Sequence, residues 1–297
     1  MKRNHHLSKV TLCLLFFYST NLLSQSAEKW ASVVEWDGVS PWRQYLIYSA
    51  LYMGPNAIPV PSMANGVVDS INSFYAAAAI HFGKGDFTRN IKLSANYCLV
   101  KDVIAFDLSW VPVEWYQTSD ELKQKRHVYY ETYNDKDAGG DLYLNTNIQL
   151  LNRWKEHFRL ALRVGYRFPT STGVGSARYT DAPGYHFDLS GAKYLSKNKQ
   201  WKLTTMCGFY AWQVNTFGQN DAFMFGAGIE YNSQKWRWKL NNTGYIGWIG
   251  NGDDPVIINF GIEKIFNQFG ASLGVQQGLH DFSYTSLELG TRMRFGK

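Results

Sequence analysis

The last stretch of the chain, Leu287-Glu-Leu-Gly-Thr-Arg-Met-Arg-Phe295, alternates between apolar residues and polar or small ones. Leu287, Leu289, Met293 and Phe295 share one face, and the glutamate and both arginines share the other. Because side chains alternate between faces along an extended chain, this period of two predicts a β-strand with one apolar side. A helix would scatter the same residues around its circumference.

The same alternation recurs upstream and predicts about twelve strands, each near the length of a membrane-crossing β-strand. Their expected spans are 72–82, 87–98, 102–111, 141–151, 157–168, 184–195, 200–212, 221–231, 235–248, 255–266, 269–277 and 283–295. A soluble β-sandwich also alternates, but its polar face is solvated. Here the polar face is rich in Gly, Ser and Asn, and aromatics such as Trp236 and Trp248 cluster at strand ends, as in interfacial girdles.

The connections between the predicted strands also alternate in length. Both long ones, near 112–140 and 169–183, follow odd-numbered strands, whereas every connection after an even-numbered strand is short. Outer-membrane barrels have short periplasmic turns and longer external loops. We therefore predict an all-β fold, a transmembrane antiparallel β-barrel over residues 72–297, with both termini on the periplasmic side.

Composition excludes several other classes of protein. The chain has 297 residues and a mean hydropathy of -0.30, and no later apolar run approaches the length of a spanning helix. An aromatic content of 16% excludes intrinsic disorder, and three cysteines are too few for a disulfide scaffold.

The N-terminus has the three-part pattern of a secretory signal peptide. Lys2, Arg3 and Lys9 precede the mostly apolar run 10–23, and small or polar residues follow it. We predict a signal peptide over residues 1–26 and export to a bacterial outer membrane, with membrane lipid and the barrel-assembly machinery as partners. Without the three basic residues of that signal the charge is nearly balanced, so we expect no nucleic-acid partner.

Residues 27–71 do not continue the alternation. Their run Gly54-Pro-Asn-Ala-Ile-Pro-Val-Pro61 predicts irregular chain, since proline cannot donate to a strand ladder. One interpretation is a plug folded into the lumen and positioned by Pro55, Asn56, Pro59 and Pro61. The other is a periplasmic tail or a tucked-in terminus that merely fills space.

Charged side chains are expected to line the lumen. Those on predicted inward faces are Arg159, Arg163, Arg167, Arg292, Arg294, Glu230, Glu263 and Glu288. Guanidinium groups grip carboxylates and phosphates bidentately, which favours an anionic solute. Pairing between these arginines and carboxylates would instead fill a narrow barrel. Both interpretations stay open.

The loop 169–183 is long and nearly free of apolar bulk. It suits an inward-folding constriction, with Arg178, Tyr179 and Asp181 as its polar contacts, or a plain surface loop. No His/Cys cluster has metal-ligand spacing and no phosphate-binding glycine loop occurs, so we expect neither metal nor cofactor.

Two segments resemble a known family. Arg167-Phe-Pro-Thr-Ser-Thr-Gly173 and Thr180-Asp-Ala-Pro-Gly-Tyr-His-Phe-Asp-Leu189 resemble the outer-membrane barrels named for the MetA pathway of phenol degradation. The likeness covers roughly a tenth of the chain, as one loose motif. It implies a barrel and transport of small, often apolar or aromatic compounds. The signal and the C-terminal style also resemble outer-membrane proteins of Bacteroidetes-type bacteria.

The leading hypothesis is therefore a channel or transporter for a small solute, anionic or aromatic, and not an enzyme. A closed barrel that anchors or docks other envelope proteins is the alternative. A lipid hydrolase using His186 and Ser190 is a weaker third hypothesis, because no nucleophile motif such as G-x-S-x-G is present.

Overall fold

The computed structural model describes residues 28–129, 136–151, 158–196, 198–214 and 218–296, so the predicted signal peptide lies outside the described residues. Its strands are β1 Asn72–Gly83, β2 Asp86–Val100, β3 Ile104–Thr118, β4 Asp137–Ala138, β5 Leu142–Leu151, β6 Phe158–Phe168, β7 Gly184–Tyr194, β8 Trp201–Val214, β9 Gly218–Asn232, β10 Trp236–Gly247, β11 Val256–Phe266, β12 Phe269–His280 and β13 Tyr284–Phe295. No helix among these residues is long and apolar enough to cross a membrane.

Twelve of the strands form one closed antiparallel barrel. Each pairs with the next, and β1 pairs with β13 from Asn72 opposite Phe295 to Gly83 opposite Tyr284, which closes the ring. The two-residue β4 adds only to the edge of β3. The predicted fold is confirmed, and the observed strand ends lie within a few residues of the expected ones except at β3.

The barrel is apolar outside and polar inside. Outward-facing Leu289 and Phe295 are 65% and 45% exposed, whereas inward-facing Arg167 is 1% exposed. A soluble β-sandwich has the reverse arrangement, so this surface is that of a membrane-spanning barrel.

Two ends of the barrel are distinguished by their connections. The short-turn end lies beside Asn72 and Phe295, and the long-loop end lies beside Gly83 and Tyr284. The loop predicted over 112–140 is shorter than expected, because β3 continues through Pro112 to Thr118. The pairing of β2 with β3 shifts its register opposite Pro112. Such a bulge accommodates proline, which cannot donate to a regular strand ladder.

Residues 28–71 run through the lumen. Residues 28–34 are helical, and Trp30 Nε1 donates to the carbonyl of His127 at the long-loop end, 3.1 Å away. Further along, Lys202 donates to the carbonyl of Asn65 at 3.4 Å, and Ser70 donates to Asp102 in the β2–β3 turn at the short-turn end. As an even number of strands predicts, the first strand begins and the last strand ends at the same, short-turn end of the barrel. The segment before β1, however, returns to the opposite end, so residue 28 lies far from residue 296.

Candidate functional site in the barrel lumen

Residues 46–63, called the lumen segment below, fill the long-loop half of the barrel. Leu46, Met53 and Ile58 are each at most 3% exposed. They belong to one apolar cluster with inward-facing barrel residues that include Tyr210, Trp212, Met224, Tyr245 and Tyr284. Burial of apolar surface therefore holds the segment at the level where the wall is aromatic.

Four buried charges and one tyrosine, called the latch cluster below, lie beside this segment: Asp86, Glu114, Arg126, Arg178 and Tyr284. Arg178 donates from Nε to Glu114 at 2.8 Å and from NH1 to Asp86 at 2.5 Å. Arg126 NH1 lies 2.9 Å from the same Asp86 oxygen, to which the Tyr284 hydroxyl also donates at 2.9 Å. Two cations thus face two anions, which makes the burial of all four tolerable.

The latch cluster grips the lumen segment directly. Arg126 donates to the carbonyl of Met53 at 3.3 Å, and the Tyr284 hydroxyl oxygen lies at the same distance from that carbonyl. Asn56 donates from Nδ2 to Glu114 at 2.6 Å. A Cβ at Gly54 would lie 2.8 Å from the Arg178 guanidinium carbon, so any larger residue there would have to push the guanidinium away from its carboxylates.

The loop predicted as a constriction contributes two of its three named residues to the lumen. Arg178 is fully buried, and the Tyr179 hydroxyl donates to Glu114 at 3.1 Å, whereas Asp181 is exposed. Burial opposes the charge on Arg178, but the carboxylates of Glu114 and Asp86 outweigh it and raise its pKa above the usual range. The guanidinium is therefore permanently charged.

The other latch residues were not anticipated. Asp86 lies one residue before the predicted start of its strand. Glu114 lies in the predicted loop 112–140 but in the observed β3, and Arg126 follows the short helix Asp120–Lys125. For Glu114 alternation along a longer β3 is the available signal, and alternation does not reveal partners.

The predicted arginine row on β6 faces inward but is largely engaged within the protein. Arg163 donates from Nε to Asp188 at 2.7 Å. Arg167 donates to the carbonyl of Ala57 at 2.6 Å and to that of Ala182 at 3.1 Å. Arg159, at the short-turn end of the row, is half-buried. Arg167 therefore holds the lumen segment, and Arg163 is neutralised on its own wall.

A second group of arginines lies near the short-turn end. Three arginines surround the single carboxylate of Glu263: Arg294 donates to it at 2.5 Å, Arg292 lies 3.6 Å away and Arg237 lies 3.8 Å away. The Arg237 side chain is 43% exposed. The carboxylate of Asp69 also acts on Arg237, so this is a mixed cluster rich in arginine.

The other two glutamates predicted to line the lumen form ion pairs with lysines, whereas a third lysine, Lys239, does not pair with a described carboxylate. Glu230 pairs with Lys202 at 2.8 Å, and Glu288 pairs with Lys92 at 3.4 Å. Lys239 on β10 has no ion pair with any described carboxylate. Its stem crosses Gly261 of β11, where a Cβ would lie 2.7 Å from the lysine Cε.

A cavity of about 340 Å³ lies between the lumen segment and these charges. The four residues predicted to position a plug, Pro55, Asn56, Pro59 and Pro61, line it. Further lining residues are Lys92, Arg163, Arg167, Glu230, Lys239, Asn241, Asn259, Gln276 and Glu288. The lining is polar and carries both cations and carboxylates, so the cavity has room and hydrogen-bonding groups for a small polar molecule.

The residues named for a hydrolase do not form a catalytic pair. His186 and Ser190 both face the lumen, and Ser190 accepts a hydrogen bond from the backbone of Gly66 at 3.2 Å. Within the described residues, Nε2 of His186 has no hydrogen-bond partner. His81 and Ser286 do contact each other, 2.7 Å apart, inside the barrel.

Comparison with known proteins supports the architecture. No protein-family profile matches the chain, and no curated protein sequence matches it significantly. Among solved structures, the COG4313 outer membrane channel from Pseudomonas putida F1 superposes with a TM-score of 0.55 at 11% identity, covering 80% of this chain and all of that one. The NanC porin gives 0.50 at 8% identity, covering 75% of this chain and all of that one. At such identities the likeness establishes the fold of an outer-membrane barrel.

Proposed function

We propose that this protein is an outer-membrane channel for a small anionic solute, closed at its long-loop end by the lumen segment. The observation that carries the proposal is the division of the lumen. Its long-loop half is sealed by apolar packing and the latch cluster. Beneath the segment a cavity remains near the middle of the barrel, and the arginines around Glu263 lie beyond it toward the short-turn end.

Charge selects the class of solute. In a low-dielectric lumen, fixed cations attract anions and exclude other cations. Lys239 and the arginines around Glu263 supply that charge, whereas Arg163 and Arg167, predicted for the same task, are engaged within the protein. The solved structures with the same fold carry the titles of a porin and a channel, which supports the transport class.

Liposome swelling tests the proposal with a matched pair of solutes, benzoate and benzylammonium. We expect liposomes with the intact chain to admit little of either solute. Liposomes with a variant that lacks residues 28–63 should admit benzoate faster than benzylammonium. Folding of both proteins is checked by heat-modifiable migration on a gel. Equal rates for the two solutes would contradict the anion preference.

The alternative is a permanently closed barrel that anchors or docks envelope proteins. The paired charges Arg163–Asp188 and Lys202–Glu230 favour it, because they occupy lumen space. No swelling with either solute, even after the deletion, would support this alternative.

A further inference from the structure

One cation interrupts the apolar outer surface of the barrel at the long-loop end. Of the outward-facing positions in the described strands, Arg89, Lys193 and Lys264 carry positive charge, and only Arg89 lies in the long-loop half. Its neighbours in register are Ile80 on β1 and Trp115 on β3, which are 37% and 42% exposed. A charge among lipid-facing side chains is tolerated near the membrane interface, where it reaches polar headgroups.

The surroundings of Arg89 add further positive charge. A pocket of about 450 Å³ beside it is lined also by Lys123, Lys136, Phe87 and Trp115. Lys84 lies exposed in the neighbouring β1–β2 turn. Arg89 itself rests over the Phe87 ring, 5.8 Å from its centroid, which fixes the guanidinium at the surface.

Nearby carboxylates do not neutralise this patch. Asp120 pairs with Lys123 at 3.3 Å, and Glu121 pairs with Lys125 at 3.0 Å. Asp137 is exposed opposite Trp115, yet neither it nor any other described carboxylate forms an ion pair with Arg89. Among the described residues five cations thus face three acids, an excess of positive charge that favours an anionic partner.

We propose that Arg89 and Lys136 bind a phosphate group of the glycolipid in the outer leaflet, of the lipid A type. The guanidinium grips the phosphate bidentately, while Phe82, Phe87 and Trp115 contact the acyl chains. The site rests on the outer-membrane placement proposed above, but not on transport, so loss of channel activity leaves it standing.

Binding of lipid A to the folded, detergent-solubilised full chain tests this site. Losing a charge-assisted hydrogen bond to phosphate weakens binding by about tenfold or more, which is the effect expected for the double variant Arg89→Gln, Lys136→Gln. Lys193→Gln is the matched control, because Lys193 also faces outward between apolar neighbours, Phe158 and Leu203, at the short-turn end. Its affinity should stay within about twofold of the wild type.

Three results would overturn the assignment. The first is unchanged affinity in the double variant, and the second is an equal loss in the Lys193 control. The third is binding of dephosphorylated lipid A, or of phosphatidylglycerol vesicles, as tight as that of lipid A. Tight binding lost on dephosphorylation and in the double variant alone would support it.

Discussion

At the scale of single residues, Arg178 connects the loop 169–183 both to the barrel wall and to the lumen segment. It belongs to the loop predicted as a constriction, yet its guanidinium bonds two strands through Asp86 and Glu114 and packs against Gly54 of the lumen segment. The loop is thus attached to the wall by buried ion pairs. A substitution of Arg178 should therefore disturb the contacts of the loop, the wall and the lumen segment at once.

Removing that charge should destabilise the closed state. Replacing Arg178 with Met leaves two buried carboxylates facing Arg126 alone, and an unpaired buried charge costs about 3–5 kcal/mol. We expect a fall of that size in the free energy of unfolding, measured by guanidinium titration in lipid vesicles. Asp181→Asn in the same loop alters an exposed side chain and should change it by less than about 0.5 kcal/mol. Equal effects of the two substitutions would refute the role of the latch cluster.

Lys239 should contribute to the preference of the open channel for anions over cations. Lys239→Gln removes a cavity-lining cation that has no ion pair within the described part of the chain, and it keeps most of the side-chain volume, so the anion preference of an open channel should decline. Reversal potentials across a salt gradient measure this in the variant that lacks residues 28–63. Lys264→Gln is the control, because Lys264 lies outside the barrel over the rings of Trp236 and Phe266. An unchanged reversal potential in Lys239→Gln would assign selectivity elsewhere.

At the scale of elements, the strands follow from the sequence and the lumen segment does not. Alternation reports which side of a strand faces water or lipid, and that local property placed twelve strands and their faces. Nothing local indicates that Met53 reaches Tyr284, because that contact joins residues far apart in the chain. For the same reason the inward faces of Arg163 and Glu230 were predictable, but their partners Asp188 and Lys202 were not.

The path of residues 28–71 makes a topological prediction. If the long-loop end faces outward, Val39, which is 88% exposed, lies outside the cell, whereas Lys101 lies in a turn at the periplasmic end. With Cys98 and Cys207 replaced by serine, Val39→Cys should react with an impermeant maleimide on intact cells. Lys101→Cys should react only after the outer membrane is opened. Labelling of Lys101→Cys alone on intact cells would reverse the orientation.

At the scale of the whole molecule, a closed wall of strands surrounds a segment that is not part of that wall. The wall is complete without the lumen segment, since the ring closes through β1 and β13. The segment is held by apolar contacts, by the latch cluster and by Arg167, all in the long-loop half. A channel closed by this segment must therefore contain a water-filled path once the segment is removed.

Single-channel recording in a planar bilayer tests that requirement most directly. The refolded intact chain should show little or no conductance, and the variant lacking residues 28–63 should show steady, anion-selective conductance. Heat-modifiable migration confirms that both barrels are folded. A folded deletion variant that stays silent, or an intact chain that conducts as well as the variant, would contradict the account of a channel closed by its own N-terminal segment.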